Sequence, residues 1–177
     1  MPCGRSWFAL ALVLLPCCTE NPVRKASVNG EHLVPTSLPS NPAVHAEVYI
    51  PIYSNLSYAS GQITIELSAQ LTIRNTDLHH PIVLEAVQYF DGSGKLLRAE
   101  LEEPRSLAPM ATTTFLVPKS DRDGGVGANY LVRWRSTDAV TEPLMEAVMA
   151  DLASSHSLAF TSRGVTTRRV DHGTLDR

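Results

Sequence analysis

The sequence predicts an all-β fold, an antiparallel β-sandwich of about seven to eight strands spanning residues 46–164. Three observations predict it. Apolar residues recur at every second position through most of this span, turn residues interrupt them at short intervals, and no long amphipathic helix is evident.

A strand from Glu47 to Tyr53 contains Pro51, which cannot donate to a ladder, so it is placed at a sheet edge. Next, Ile63, Ile65, Leu67, Ala69, Leu71 and Ile73 alternate with polar neighbours, the signature of one long half-buried strand. The Asn75-Thr76-Asp77 turn leads to a strand from Pro81 to Asp91. Its apolar frame is Ile82 and Leu84, then Val87 and Tyr89, and the three-residue step predicts a bulge near Ala86. Asp91-Gly92-Ser93-Gly94 is a hairpin turn, because glycine supplies the backbone angles such loops need.

Further strands are expected over Lys95 to Leu101, Ala111 to Val117 and Gly127 to Ser136. In the last of these, Tyr130, Val132 and Trp134 share one face and Leu131, Arg133 and Arg135 the other, which makes Trp134 a central core residue. Glu142 to Leu152 reads two ways. Leu144, Met145, Val148, Met149 and Leu152 fit helical spacing, with Pro143 suited to a helix start. The preferred reading is a β-hairpin that turns at Ser154-Ser155-His156 into Leu158, Ala159, Phe160 and Thr161.

The chain has 177 residues, enough for one domain with its own core. A net charge of -3 argues against a nucleic-acid partner, which requires a basic face. All three cysteines lie at or before Cys18, so the body can build neither a disulfide framework nor a zinc ribbon.

The amino terminus reads as an export signal. Arg5 supplies a positive flank, and Trp7 to Leu15 is an apolar run of nine residues, far short of the roughly 20 needed to span a bilayer. Leu15-Pro16-Cys17-Cys18 resembles a bacterial lipoprotein signal, occupying residues 1–17, with Cys18 as the lipidated residue. Cys17 stands where a smaller residue is usual and remains the alternative site. The resemblance implies a lipid-anchored protein of the bacterial cell envelope. Thr19 in place of an aspartate points to an outer rather than an inner membrane where the host has both.

Residues 18–45 carry four prolines among polar residues and read as the lipidated cysteine and a flexible tether, reaching roughly 30 Å. Residues 165–177 read as a frayed polar tail.

Several phrases occur together in the body: Tyr49-Ile50-Pro51-Ile52-Tyr53-Ser54, Leu71-Thr72-Ile73-Arg74-Asn75-Thr76-Asp77, Tyr89-Phe90-Asp91, Gly124-Gly125-Val126-Gly127-Ala128-Asn129 and Phe160-Thr161-Ser162-Arg163-Gly164. The set resembles a family of exported bacterial proteins known as a domain of unknown function (number 3124). Strand order and the phrase Leu107-Ala108-Pro109 are also similar to immunoglobulin-like domains, so the expected fold is an immunoglobulin-like sandwich. Neither resemblance brings a catalytic residue or a cofactor to this chain.

No cofactor or metal site is expected. His79-His80 reads as a solvated turn before Pro81, since adjacent strand residues point to opposite faces. Asp121-Arg122-Asp123-Gly124-Gly125 hints at a calcium loop, but Val132 occupies the position of the bidentate glutamate, so a flexible loop is the plainer reading. No nucleophile elbow or zinc-binding helix occurs. The candidate binding residues are Arg133, Arg135 and Arg163, three arginines expected on one open face where they could grip an anionic ligand or an envelope protein. Cross-strand pairing with Glu85 is the ordinary alternative. A non-catalytic partner-binding or assembly module therefore stands first, and an exported hydrolase with an unrecognised site second.

Overall fold

The alternation read from the sequence builds two antiparallel sheets that share one core. The computed structural model describes residues 29–152 and 157–172; the signal, both candidate lipidation sites, the turn at Ser154 and the last five residues lie outside them. Thirteen strands occur among the described residues: β1 (Leu33–Pro35), β2 (Val44–Pro51), β3 (Asn55–Tyr58), β4 (Ile63–Glu66), β5 (Ser68–Arg74), β6 (Ile82–Phe90), β7 (Leu96–Ala99), β8 (Arg105–Leu107), β9 (Thr112–Val117), β10 (Asn129–Ser136), β11 (Leu144–Leu152), β12 (Ser157–Arg163) and β13 (Val165–Asp171). The larger sheet has the order β1-β8-β6-β10-β2-β13, with β7 also on β6. The smaller runs β12-β11-β5-β9, and β3-β4 form a separate pair. The count exceeds seven to eight because five of the strands have only three or four residues.

Trp134, Tyr130 and Val132 of β10 are wholly buried, as their spacing requires. They meet Leu71 and Ile73 of β5, Phe115 of β9 and Met145 and Met149 of β11 in one apolar cluster. The bulge in β6 also forms. Trp134 stands opposite Leu84 and Arg133 opposite Ala86, which leaves Glu85 without a cross-strand partner. Glu142 to Leu152 contributes β11, and β12 pairs with it from Glu146↔Arg163 to Leu152↔Ser157.

Four boundaries differ from expectation. β2 is internal, flanked by β10 and β13. Pro51 is tolerated because it is the last residue of β2 and β13 pairs only as far as Tyr49. The long strand over residues 63–74 divides at Leu67, whose N–H donates to the Ser54 carbonyl. Its first part pairs with β3 instead of joining a sheet. Part of the expected tether is ordered as β1, on β8. Val165–Asp171 is a strand and not a frayed tail, held by the β2 ladder. Its apolar residues Val165 and Val170 are five apart, so no alternation announces it.

The chain crosses from the smaller to the larger sheet at Gly164, whose N–H donates to the Met145 carbonyl at 2.8 Å. A Cβ there would lie 2.8 Å from Val48 and 3.0 Å from Ile50, both in the core. Gly164→Leu is therefore expected to lower stability by about 1–3 kcal/mol, read as an earlier midpoint in chemical denaturation. An unchanged midpoint would show that the crossover has room to spare.

Candidate functional site

The outward face of the larger sheet collects charge by simple alternation. Because Val44, Ala46 and Val48 face the core, His45 and Glu47 of β2 must face out, as must Arg133 and Arg135 of β10. Register sets Arg133 opposite Glu47 and Arg135 opposite His45. The bulge brings Glu85 among them. Its Oε2 accepts from Arg135 Nε at 2.6 Å and lies 3.6 Å from His45 Nε2, and its Oε1 lies 3.5 Å from Arg133 Nε. All four side chains are partly buried. On the far side of β2, Arg168 of β13 stands opposite Glu47.

One carboxylate thus serves two guanidinium groups. The Nε of Arg133 is buried without a hydrogen bond. Arg168 is exposed and has no ion pair among the described residues. Three arginines face two glutamates, and the surplus favours an anion, since a guanidinium offers five donors in a planar fork. Burial, with Arg135 alongside, holds His45 below its ordinary value despite the attraction of Glu85.

Arg163 does not join this face. It ends β12 in the smaller sheet, in register with Glu146, and lines a groove of about 440 Å³ with Glu142, Leu144 and Thr166. Alternation placed it outward correctly, but outward from the other sheet. His45 and Arg168 take part in its stead. His45 was readable from the β2 alternation, and Arg168 lay in the segment taken for a tail.

The remaining polar motifs support loops. Asp77 accepts from the N–H groups of His79, His80 and Thr141, which hold its carboxyl well below the usual range. Asn75 Nδ2 reaches the carbonyls of His80, Leu107 and Ala108. His79 sits exposed on this turn. At the opposite end Arg98 lies over the Tyr89 ring at 5.2 Å and donates to Glu100 and Asp121. The Tyr130 hydroxyl donates to Glu100 at 2.7 Å. Burial, reinforced by Asp121, pushes the Tyr89 phenol up to about 12. Its hydroxyl packs against Gly124, where a Cβ would come within 2.0 Å. Gly124 therefore makes room for Tyr89, and Gly127 for the close approach of Gly92. Among the described residues no group of three or more His, Cys, Asp or Glu side chains is placed to hold a metal ion.

A depressed histidine pKa has a definite consequence for stability. The unfolded state takes up its proton first as pH falls, so the contribution of His45 is present above about pH 6.5 and is lost toward its lower folded value. His45→Gln should lose less stability than the parent between neutrality and about pH 5, measured by denaturant titration at each pH. A steeper loss in the variant would show that Glu85 governs His45 instead.

A crystal structure of Thermotoga maritima 1070 is similar at a TM-score of 0.41 and 12% identity, over 72% of this chain and 96% of that one. No curated protein matches the chain. The family model described as protein of unknown function (DUF3124) matches residues 45–167, from the histidine of the charged cluster into β13. The chain belongs to that family.

Proposed function

We propose that the protein is a lipid-anchored module of the cell envelope that holds a partner through an anionic group set against Arg133 and Arg135, without catalysing a reaction. The observation that carries this reading is the sharing of one carboxylate, Glu85, by both arginines. Beyond Arg135 Nε to Glu85, neither guanidinium makes a hydrogen bond among the described residues, and both side chains are partly exposed on the outward face of the sheet. A carboxylate or phosphate of the partner replaces water there and can be gripped bidentately. Anchoring rests on the Leu15-Pro16-Cys17-Cys18 signal, with Cys18 lipidated in the outer membrane and the domain projecting from it.

Capture of an envelope partner by the intact, membrane-bound protein tests this reading. Arg133→Gln with Arg135→Gln should weaken capture at least roughly tenfold, equivalent to about 1.4 kcal/mol, while the melting temperature falls only slightly. Glutamine avoids placing new negative charge beside Glu85 and Glu47. Undiminished capture by a well-folded double variant would remove this face as the binding site.

A further inference from the structure

The hairpin of β3 and β4 belongs to neither sheet. Its rungs pair Leu56 with Ile65 and Tyr58 with Ile63, so these four side chains share one face. Leu56 and Ile65 are half-buried against the core. Beyond them every residue from Ser57 to Thr64 is exposed, with Tyr58 at 64% and Ile63 at 50%. From Asn55 to Ile65 there is no charged residue. Ala59, Ser60 and Gly61 all take positive φ to close the tip tightly. Two strands standing alone are marginal in water, and among the described residues the apolar face of the outer half has nothing against it.

The position of this hairpin bears on what it could meet. β2 ends and β5 begins at one end of the sandwich, where Leu67 N–H donates to the Ser54 carbonyl, and the exposed hairpin leaves from between them. Asn29, the first described residue, lies toward that end too. Gly30 N–H donates to the Thr114 carbonyl and Asn29 Oδ1 accepts from Leu116 N–H, so from Gly30 to Asn29 the chain steps along β9 toward Val117. Val117 pairs with Ala69, just past the hairpin. From Cys18 to Asn29 is eleven steps along the chain (29 − 18), at most about 40 Å even if fully extended.

We propose that the β3–β4 hairpin dips its uncharged tip into the lipid surface to which Cys18 is attached, with Tyr58 at headgroup level and Ile63 beside it; this rests on the anchoring reading above. An aromatic with one polar end suits the membrane–water boundary. A tether alone fixes distance, whereas a seated hairpin also fixes orientation. With strands running away from the bilayer, the Arg133 and Arg135 face stands open to the side.

The test uses the full mature, acylated protein on vesicles of phosphatidylethanolamine and phosphatidylglycerol, with plain or brominated acyl chains. Tyr58→Trp should lose roughly half of its added fluorescence to the brominated lipid. Met110→Trp, exposed on the turn at the other end of β9, and the parent with buried Trp134 should not be quenched. Equal, slight quenching of Tyr58→Trp and Met110→Trp in protein that sediments with the vesicles overturns the proposal, and the tip then serves a protein partner or a second copy. Failure to sediment, with an unmodified Cys18 by mass spectrometry, overturns the anchoring reading and this proposal together.

Discussion

At the centre of the larger sheet, β6 carries one residue more than its partner β10 can match. Ile82 and Leu84 keep one apolar frame, Val87 and Tyr89 keep another, and the two are out of step by one. In an uninterrupted ladder one of these pairs would face water, since a shift of one residue moves every side chain to the other face. The slip at Glu85 reconciles them, and all four are fully buried. The residue left unpaired is the acid that meets Arg133, Arg135 and His45. Core and charged cluster therefore arise from the same irregularity.

Beyond Cys18 the chain has no thiol, so the sandwich is held without disulfides. Buried polar groups close its ends. Asn75 and Asp77 bind the β5–β6 turn to the segments around Leu107 and Thr141. Arg98, Glu100 and Tyr130 do the same opposite, and burial of Arg98 is offset by Glu100, which raises its pKa further. A charged group so placed is tolerated because Glu100 and Asp121 both pair with it, although its Nη2 is buried without a hydrogen bond. The phrases Asn75-Thr76-Asp77, Gly124-Gly125 and Arg163-Gly164 fall on these closures and on the sheet crossover. They read as structural requirements of the fold.

Much of this was legible in the sequence wherever the cause is local. The step from Leu84 to Val87 announced the bulge, the alternation of β10 announced both the Trp134 core and the outward arginines, and Glu85 was placed beside them. What failed was information that alternation does not contain. Period two states which face a residue takes but not which sheet its strand joins, so Arg163 was assigned to the wrong layer. The run over residues 63–74 keeps its phase across the break at Leu67, where only the bond to Ser54 marks the change of partner. β13 is held by backbone pairing at an edge, and polar edge strands look like loops.

The most direct test of the bulge compares two deletions in β6 by thermal unfolding. Removing Ala86 alone leaves Leu84 and Val87 two apart, so both frames stay inward, and a cooperative melt is expected with only modest loss. Removing Glu85 and Ala86 together makes Leu84 and Val87 adjacent and turns Val87 and Tyr89 outward, so cooperative unfolding should vanish. Similar melts for the two deletions, or loss of folding in the single one, would contradict the claim that this bulge sets the two frames in register.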